Sequence, residues 1–324
     1  MVLELLRKLV DIESPSGQED EIIEYILEFI HHYGWDTEAQ ESHGVENILV
    51  NPQADYWVAT HMDTVDIKRE FHFDGVYAYG TGACDAKGSL TAMLTALRRL
   101  YELNIGFAFL SDEEEGGKGS RLVMKEYRPE KVVVMEPTSL NIATQQYGSL
   151  EVEIGVTGSP AHGSFFDNEN AIEKAIELMG EIKNLTSEFS IQEMKGGDSD
   201  FLIPDYCMLR IEFLFPPGVD VISYRERIEN IAEEYGAIEI IEEHEGFIAD
   251  KCPYLERAIQ SAGLNVNYSK MLSWTDAVNF KQGGSKAIIW GPGDMRMCHT
   301  HEERIAVEEI QSAVDVIVSL NEQL

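Results

Sequence analysis

Basic residues are scarce in this chain. Its 324 residues carry 25 Lys and Arg against 58 Asp and Glu, a formal charge of −33 at pH 7. That balance argues against nucleic acid and anionic membranes as partners, because both are held by Lys and Arg. Cysteine is sparse as well. Cys84, Cys207, Cys252 and Cys298 are scattered without a C-x-x-C pair, which argues against a disulfide framework and a thiolate zinc site. Any metal here must be held by oxygen and imidazole. The opening "MVLELLRKLVDIESPSG" breaks its apolar spacing with Glu4, Arg7, Lys8 and Asp11, so it reads neither as a signal peptide nor as a membrane span. A soluble, cytoplasmic protein is expected. Internal repeats, low-complexity segments and long linkers are also missing.

At 44% hydrophobic residues, the chain can bury a large core and has room for two domains. Up to about residue 146, helical patterns ("EDEIIEYILEFIHHYG", "SLTAMLTALRRLYEL", "GSRLVMKEY") alternate with short apolar strands ("YWVAT", "IGFAFL", "KVVVM"). That alternation predicts an α/β layer structure on a mostly parallel sheet. Residues 148–245 read differently, as strand, helix, strand, strand, helix, strand, the ferredoxin-like βαββαβ order of an inserted lid. The first pattern then resumes with "YLERAIQSAG", "TDAVNFKQGG", "KAIIWG" and a final long helix. A discontinuous catalytic domain, 1–147 with 246–324, carrying a lid at 148–245, is the expected organisation.

Three apolar strands turn polar at their C-terminal ends: "YWVATHMDTVD", "FAFLSDEEEGG" and "VVVMEPTS". Acid runs such as Asp112 to Glu115 are usually solvated surface, and Glu115 is read that way. In open α/β sheets, however, ligands bind at the carboxyl ends of strands, so His61, Asp63, Glu113, Glu114 and Glu136 are expected to converge there, with a cation offsetting their repulsion. Asp63, two residues after His61, is read as the carboxylate that orients the imidazole. "GTGACDAKGSL" presents Asp85 between glycines, and "WGPGDMRMCHTHEERI" offers His299 and His301, either of which can close a metal site.

Six motifs in order, "THMDTV", "GTGACDAKGSL", "SDEEEGGKGS", "MEPTS", "GSPAHGS" and "GPGDMRMCHTHEE", resemble the motif set of the dinuclear zinc metallopeptidases and deacylases that include acetylornithine deacetylase, succinyl-diaminopimelate desuccinylase and carboxypeptidase G. "GACDAKGSL" and the short length look most like the branch of LysW-lysine/LysW-ornithine hydrolases. The resemblance implies a zinc-peptidase-like three-layer fold and two zinc ions per subunit, with cobalt able to substitute. It implies that one zinc is bound by His61 and Glu136 and the second by Glu114 and His299, that Asp85 bridges both, and that Glu113 acts as general base. His162 would be the oxyanion donor reaching a partner's site in a homodimer, and a non-standard peptide would follow Asp85.

Two places depart from that family. Phe201 and Leu214 stand where relatives carry their substrate-carboxylate clamp, leaving Arg210 or Arg296 to replace it. Asp276 is read either as a helix cap or as a wall of the substrate pocket. Cys84 and Cys298 directly precede Asp85 and His299, so oxidation is expected to inhibit the enzyme. The resemblance implies a zinc-dependent amidohydrolase releasing lysine or ornithine, carrier-linked or N-acylated, with acetylornithine or succinyl-diaminopimelate deacylation and dipeptide or carboxypeptidase cleavage as alternatives. A non-catalytic metal-binding module is the reading from another class. An acidic carrier would need a local basic patch to approach so acidic an enzyme.

Overall fold

The computed structural model describes residues 2–198 and 200–324. These divide into two compact units, one comprising the residues up to Thr144 with Ala249–Met271 and Thr275–Leu324, the other Gln145–Ile248 with Leu272–Trp274. Among the described residues no helix is long and apolar enough to cross a membrane.

The first unit is built on a sheet whose centre is four parallel strands. Gly106–Leu110 lies beside Tyr56–His61, then Lys131–Val134, then Lys286–Ile289. Gly106–Leu110 is buried along its whole length and its parallel neighbours nearly so, which is why they read as unbroken apolar runs rather than alternating ones. Registers His61↔Leu110 and Ala59↔Val134 bring three strand ends to one edge. The segments that follow those ends carry Asp63, Glu113 and Glu136.

The flanks are antiparallel. Glu38–Ser42 and Val45–Val50 form a hairpin that joins the sheet alongside Gly106–Leu110. Its two-residue turn, His43-Gly44, has positive φ at both positions, 53° and 79°, the geometry that matches strand twist. Lys87–Arg99 is buried on every side through Leu97 and packs on the C-terminal helix Val307–Glu322. It starts at Lys87, two residues before the expected Ser89, with Ala86 alone between it and Asp85.

The second unit is a four-stranded antiparallel sheet in the order Phe189–Gly196, Tyr206–Phe215, Gly148–Thr157, Gly236–His244, with helices Ala171–Leu185 and Val221–Ala232. This is the ferredoxin-like order. Central strand Tyr206–Phe215 alternates buried and open positions, as expected for a sheet with one covered face. Leu150, Val152, Ile154 and Val156 meet Leu178, Ile182 and Ile228 in its core. Both helices start on capping side chains. Asn170 accepts from the amides of Ile172 and Glu173, and Asp220 from that of Ser223.

Candidate metal and catalytic site

His61 ends its strand fully buried, and its two ring nitrogens have separate partners. Nδ1 faces the main-chain carbonyl of Asp63 at 2.9 Å and Nε2 faces Oδ1 of Asp85 at 3.1 Å. The expected orienting carboxylate is thus corrected in detail. The carbonyl of Asp63 fixes the ring, while its carboxylate stands farther off at 3.4 Å. That carboxylate instead organises the acidic loop: Oδ1 accepts from the amide of Glu113, and Oδ2 accepts from the amide of Glu114 and from Ser16 Oγ at 2.7 Å.

Asp85 sits between two imidazoles. Oδ1 lies 3.1 Å from His61 Nε2 and Oδ2 lies 3.6 Å from His299 Nε2. His299 Nε2 also lies 3.0 Å from Glu114 Oε2. His299 holds a left-handed backbone, φ 55°, uncommon for a residue with a Cβ. His299 rather than His301 meets Glu114 and Asp85; both histidines are exposed. The Asp85–Ala86 peptide is cis.

Glu136 and Glu113 complete the group. Both are buried, and Glu136 Oε1 has no hydrogen-bond partner. Burial drives the carboxyl groups of Glu113 and Glu136 well above the ordinary range, and neighbouring acids add to it. Glu114 is raised by burial against the opposing His299 contact. For His61, burial alone would disfavour the proton, but Glu113, Asp63 and Asp85 lift it well above the usual imidazole range. The bond to Glu114 raises His299 to about 9. Buried carboxylates that crowd imidazoles, one with an unpartnered oxygen, are the donor set of a divalent cation site. His61, Asp85 and Glu114 each offer a ligand atom, all within 4.8 Å of one another. No sulfur takes part.

The profile of peptidase family M20/M25/M40 matches residues 57–323. The chain belongs to that family. It is 28% identical to the LysW-lysine/LysW-ornithine hydrolase of Sulfurisphaera tokodaii, over 100% of this chain and 95% of that protein. In fold it is similar to a tripeptidase from Staphylococcus aureus, with TM-score 0.81, 20% identity and coverage of 99% of this chain and 97% of that one. It is similar also to the Bacillus subtilis YXEP protein, described as a dinuclear metal-binding peptidase, with TM-score 0.69, 16% identity and coverage of 99% and 96%. As an M20 peptidase the chain is a metal-dependent hydrolase of amide or peptide bonds.

Several supports of this M20 site were not singled out from the sequence. Glu303 is buried and holds the Asp85 loop by its amides: Oε1 accepts from Cys84 and Asp85, and Oε2 from Gly82. Asn47 accepts from the amide of Ser111, and Glu19 from that of Asp112. The run "HTHEERI" gave a signal for Glu303, two residues beyond His301, but carboxylates that accept from distant amides have no local spacing to betray them.

The helix-cap reading of Asp276 is corrected. It stands at the start of helix Ala277–Gln282, yet its side chain makes no cap bond; Thr275 Oγ1 accepts from the amide of Ala277 instead. Asp276 Oδ1 accepts from Ser120 Oγ, and Asn279 Nδ2 donates to Ser120 Oγ and to the carbonyl of Gly117. The network therefore ties that helix to the end of the acidic loop. Burial pushes the Asp276 carboxyl up to about 7, and its Oδ2 is unpartnered. Asp276→Ala is expected to cost about 1–3 kcal/mol in urea unfolding, the penalty for leaving buried partners unmatched. Asp276→Asn, which keeps Oδ1 and carries no charge, is expected to cost less, and its cost relative to wild type is expected to shrink from pH 5 to pH 8 as the wild-type carboxyl ionises through about 7.

Arg210 donates from Nε to Glu151 Oε1 at 2.5 Å, so its charge is already matched. Arg296 is exposed on the turn Met295–Met297. His162 is exposed on the short strand Ala161–His162, its ring edge-on to Phe201. Cys84 and Cys298 are buried beside each other, both sulfurs reaching the carbonyl of Asp294. The bond from Cys298 favours the Cys84 thiolate, but burial and Asp85 outweigh it. For Cys298 the bond to Cys84 and burial both raise the thiol. Raised thiols make little thiolate and oxidise slowly, which weakens the expectation of ready oxidative inhibition.

Proposed function

We propose that this M20 peptidase is a two-zinc amidohydrolase that releases lysine or ornithine from an amino-group carrier protein. The arrangement of Asp85, with one oxygen toward His61 and the other toward His299, carries the two-ion reading. His61 and Glu136 would hold one ion, Glu114 and His299 the other, and Asp85 would serve both. When bound, such ions supply Lewis acidity that acidifies water and polarises the scissile carbonyl. Glu113 takes the proton of the attacking water and delivers it to the leaving amine nitrogen. Asp63 serves that step by fixing the amides of Glu113 and Glu114.

Full-length similarity to the LysW-lysine/LysW-ornithine hydrolase supports the substrate. The acidic surface suits the cationic amino acid released. His162 is assigned as the oxyanion donor supplied across a homodimer, in keeping with its exposure and its place in the "GSPAHGS" motif. Hydrolysis of carrier-linked lysine, carrier-linked ornithine, acetylornithine, succinyl-diaminopimelate and di- and tripeptides should be compared with zinc or cobalt added. The expected result is the highest kcat/KM on the carrier-linked amino acids. Preference for free acyl amino acids or peptides would replace this reading with a deacylase or peptidase.

A further inference from the structure

The helix that follows the acidic loop is basic, against the sign of the chain. Lys118–Glu126 buries Gly119, Ser120, Leu122, Val123 and Met124, which turns Lys118, Arg121 and Lys125 outward. At spacings of three and four residues these side chains share one face and cover about 10 Å of helix. Exposed Arg128 follows just past the helix end. Residues 115–128 thus set four basic side chains against Glu115 and Glu126, in a protein with 58 acids and 25 bases.

Most of the charge in this row is uncommitted. Lys118 Nζ reaches the buried Asp112 Oδ1 at 2.7 Å and is still 58% exposed. Arg121 and Lys125 meet no carboxylate among the described residues, and Arg128 Nη1 donates at 2.6 Å to the carbonyl of its neighbour Tyr127. By contrast, Lys68, Arg99, Lys195, Arg210 and Lys286 each sit on a carboxylate. Lys125, in the last turn, complements the helix dipole, but Arg121 stands in the middle and has no such use. Glu38, across from the helix end, accepts from the Tyr127 hydroxyl.

The row begins at the candidate metal site. The amide of Lys118 donates to Asp112 Oδ2 at 3.2 Å, Ser120 Oγ donates to Asp276, and Arg121 Nη2 lies beside Gly116 of the acidic loop. A chain of charge −33 repels an acidic macromolecule overall, so a row of free cations sets where such a molecule lands and in what orientation. That row is the local basic patch an acidic partner needs. We propose that it is the docking surface for an acidic face of the protein that carries the scissile amide, an inference that rests on the carrier-linked substrate proposed above.

The test removes the row and keeps the site. The triple variant Arg121→Gln, Lys125→Gln, Arg128→Gln is compared with wild type and with Lys8→Gln, Lys183→Gln, Lys251→Gln, which removes the same charge from exposed positions outside the row. On carrier-linked lysine the row variant is expected to lose at least about tenfold in kcat/KM at low salt, through KM with kcat unchanged. In about 1 M salt, where the Debye length is about 3 Å, that loss is expected to vanish. Metal content and melting temperature are expected to match wild type in both variants. Fluorescence anisotropy with labelled oligo-D-glutamate, which resists cleavage, reads the surface without turnover. Saturable binding is expected for wild type and the second variant, and binding weaker by at least about tenfold for the row variant. An unchanged KM, unchanged oligoglutamate binding, equal losses in the two variants, or tighter binding of oligothymidylate than of oligoglutamate would each overturn the proposal. If wild type left carrier-linked lysine intact while its oligoglutamate binding still depended on the row, the carrier reading would fall and the surface would belong to another acidic protein substrate.

Discussion

Glu113→Gln is expected to lower kcat by about 10²–10⁴-fold, the usual contribution of a general base, with metal content unchanged. Glu113 is buried, and its main chain is held by Asp63 through its amide. Burial, then the fields of Glu136 and Glu114, keep its carboxyl well above the ordinary range, so it holds a proton more readily than a surface glutamate. Gln preserves size and hydrogen bonding but cannot take a proton from water. Metal analysis by plasma mass spectrometry, run beside steady-state kinetics, separates the base from the ligands. Glu136→Gln, in contrast, removes a proposed ligand and should lower bound metal and rate together. If Glu113→Gln retained activity within a few-fold of wild type, the proton would pass through another group.

Removal of metal is expected to make stability fall steeply as pH rises from about 5 to 8, whereas the metal-loaded protein varies little across that window. Without a cation, Glu113, Glu114, Glu136 and Asp276 all have carboxyl groups raised by burial, Asp276 to about 7. A raised carboxyl means that the folded state binds its proton more tightly than the unfolded one. Its contribution is therefore present at low pH and lost as pH climbs through the folded value. His61, also raised, acts in the same direction and loses its contribution as pH rises. Asp63 and Asp85 are lowered by their contacts with His61, in spite of burial, and act oppositely, but only near and below their ordinary range. Melting temperatures after chelation, measured at half-unit pH steps with and without added zinc, check this. Parallel curves for the two forms would mean that the acids are not held together by a cation.

How far each of these features could be read in advance follows from the range of the interaction behind it. The central strands and most of the helices could be read because each buries its own residues in a local pattern: continuous apolar runs at 106–110 and 132–134, 3.6-residue spacing in 20–32 and 307–322. The hairpin at 38–50 could not, since "EAQES" is polar and its pairing comes from a turn at His43-Gly44. His61, Asp63, Asp85, Glu113, Glu114 and Glu136 were legible because strand ends and glycine turns mark places where side chains meet a crevice. The carbonyl rather than carboxylate contact of Asp63, the bond from Ser120 to Asp276 and the grip of Glu303 on Asp85 belong to tertiary structure alone. Glu303 lies 218 residues from Asp85. No local periodicity encodes such a meeting, because it exists only after the helices at 87–99 and 307–322 pack and bring the two loops within hydrogen-bond reach.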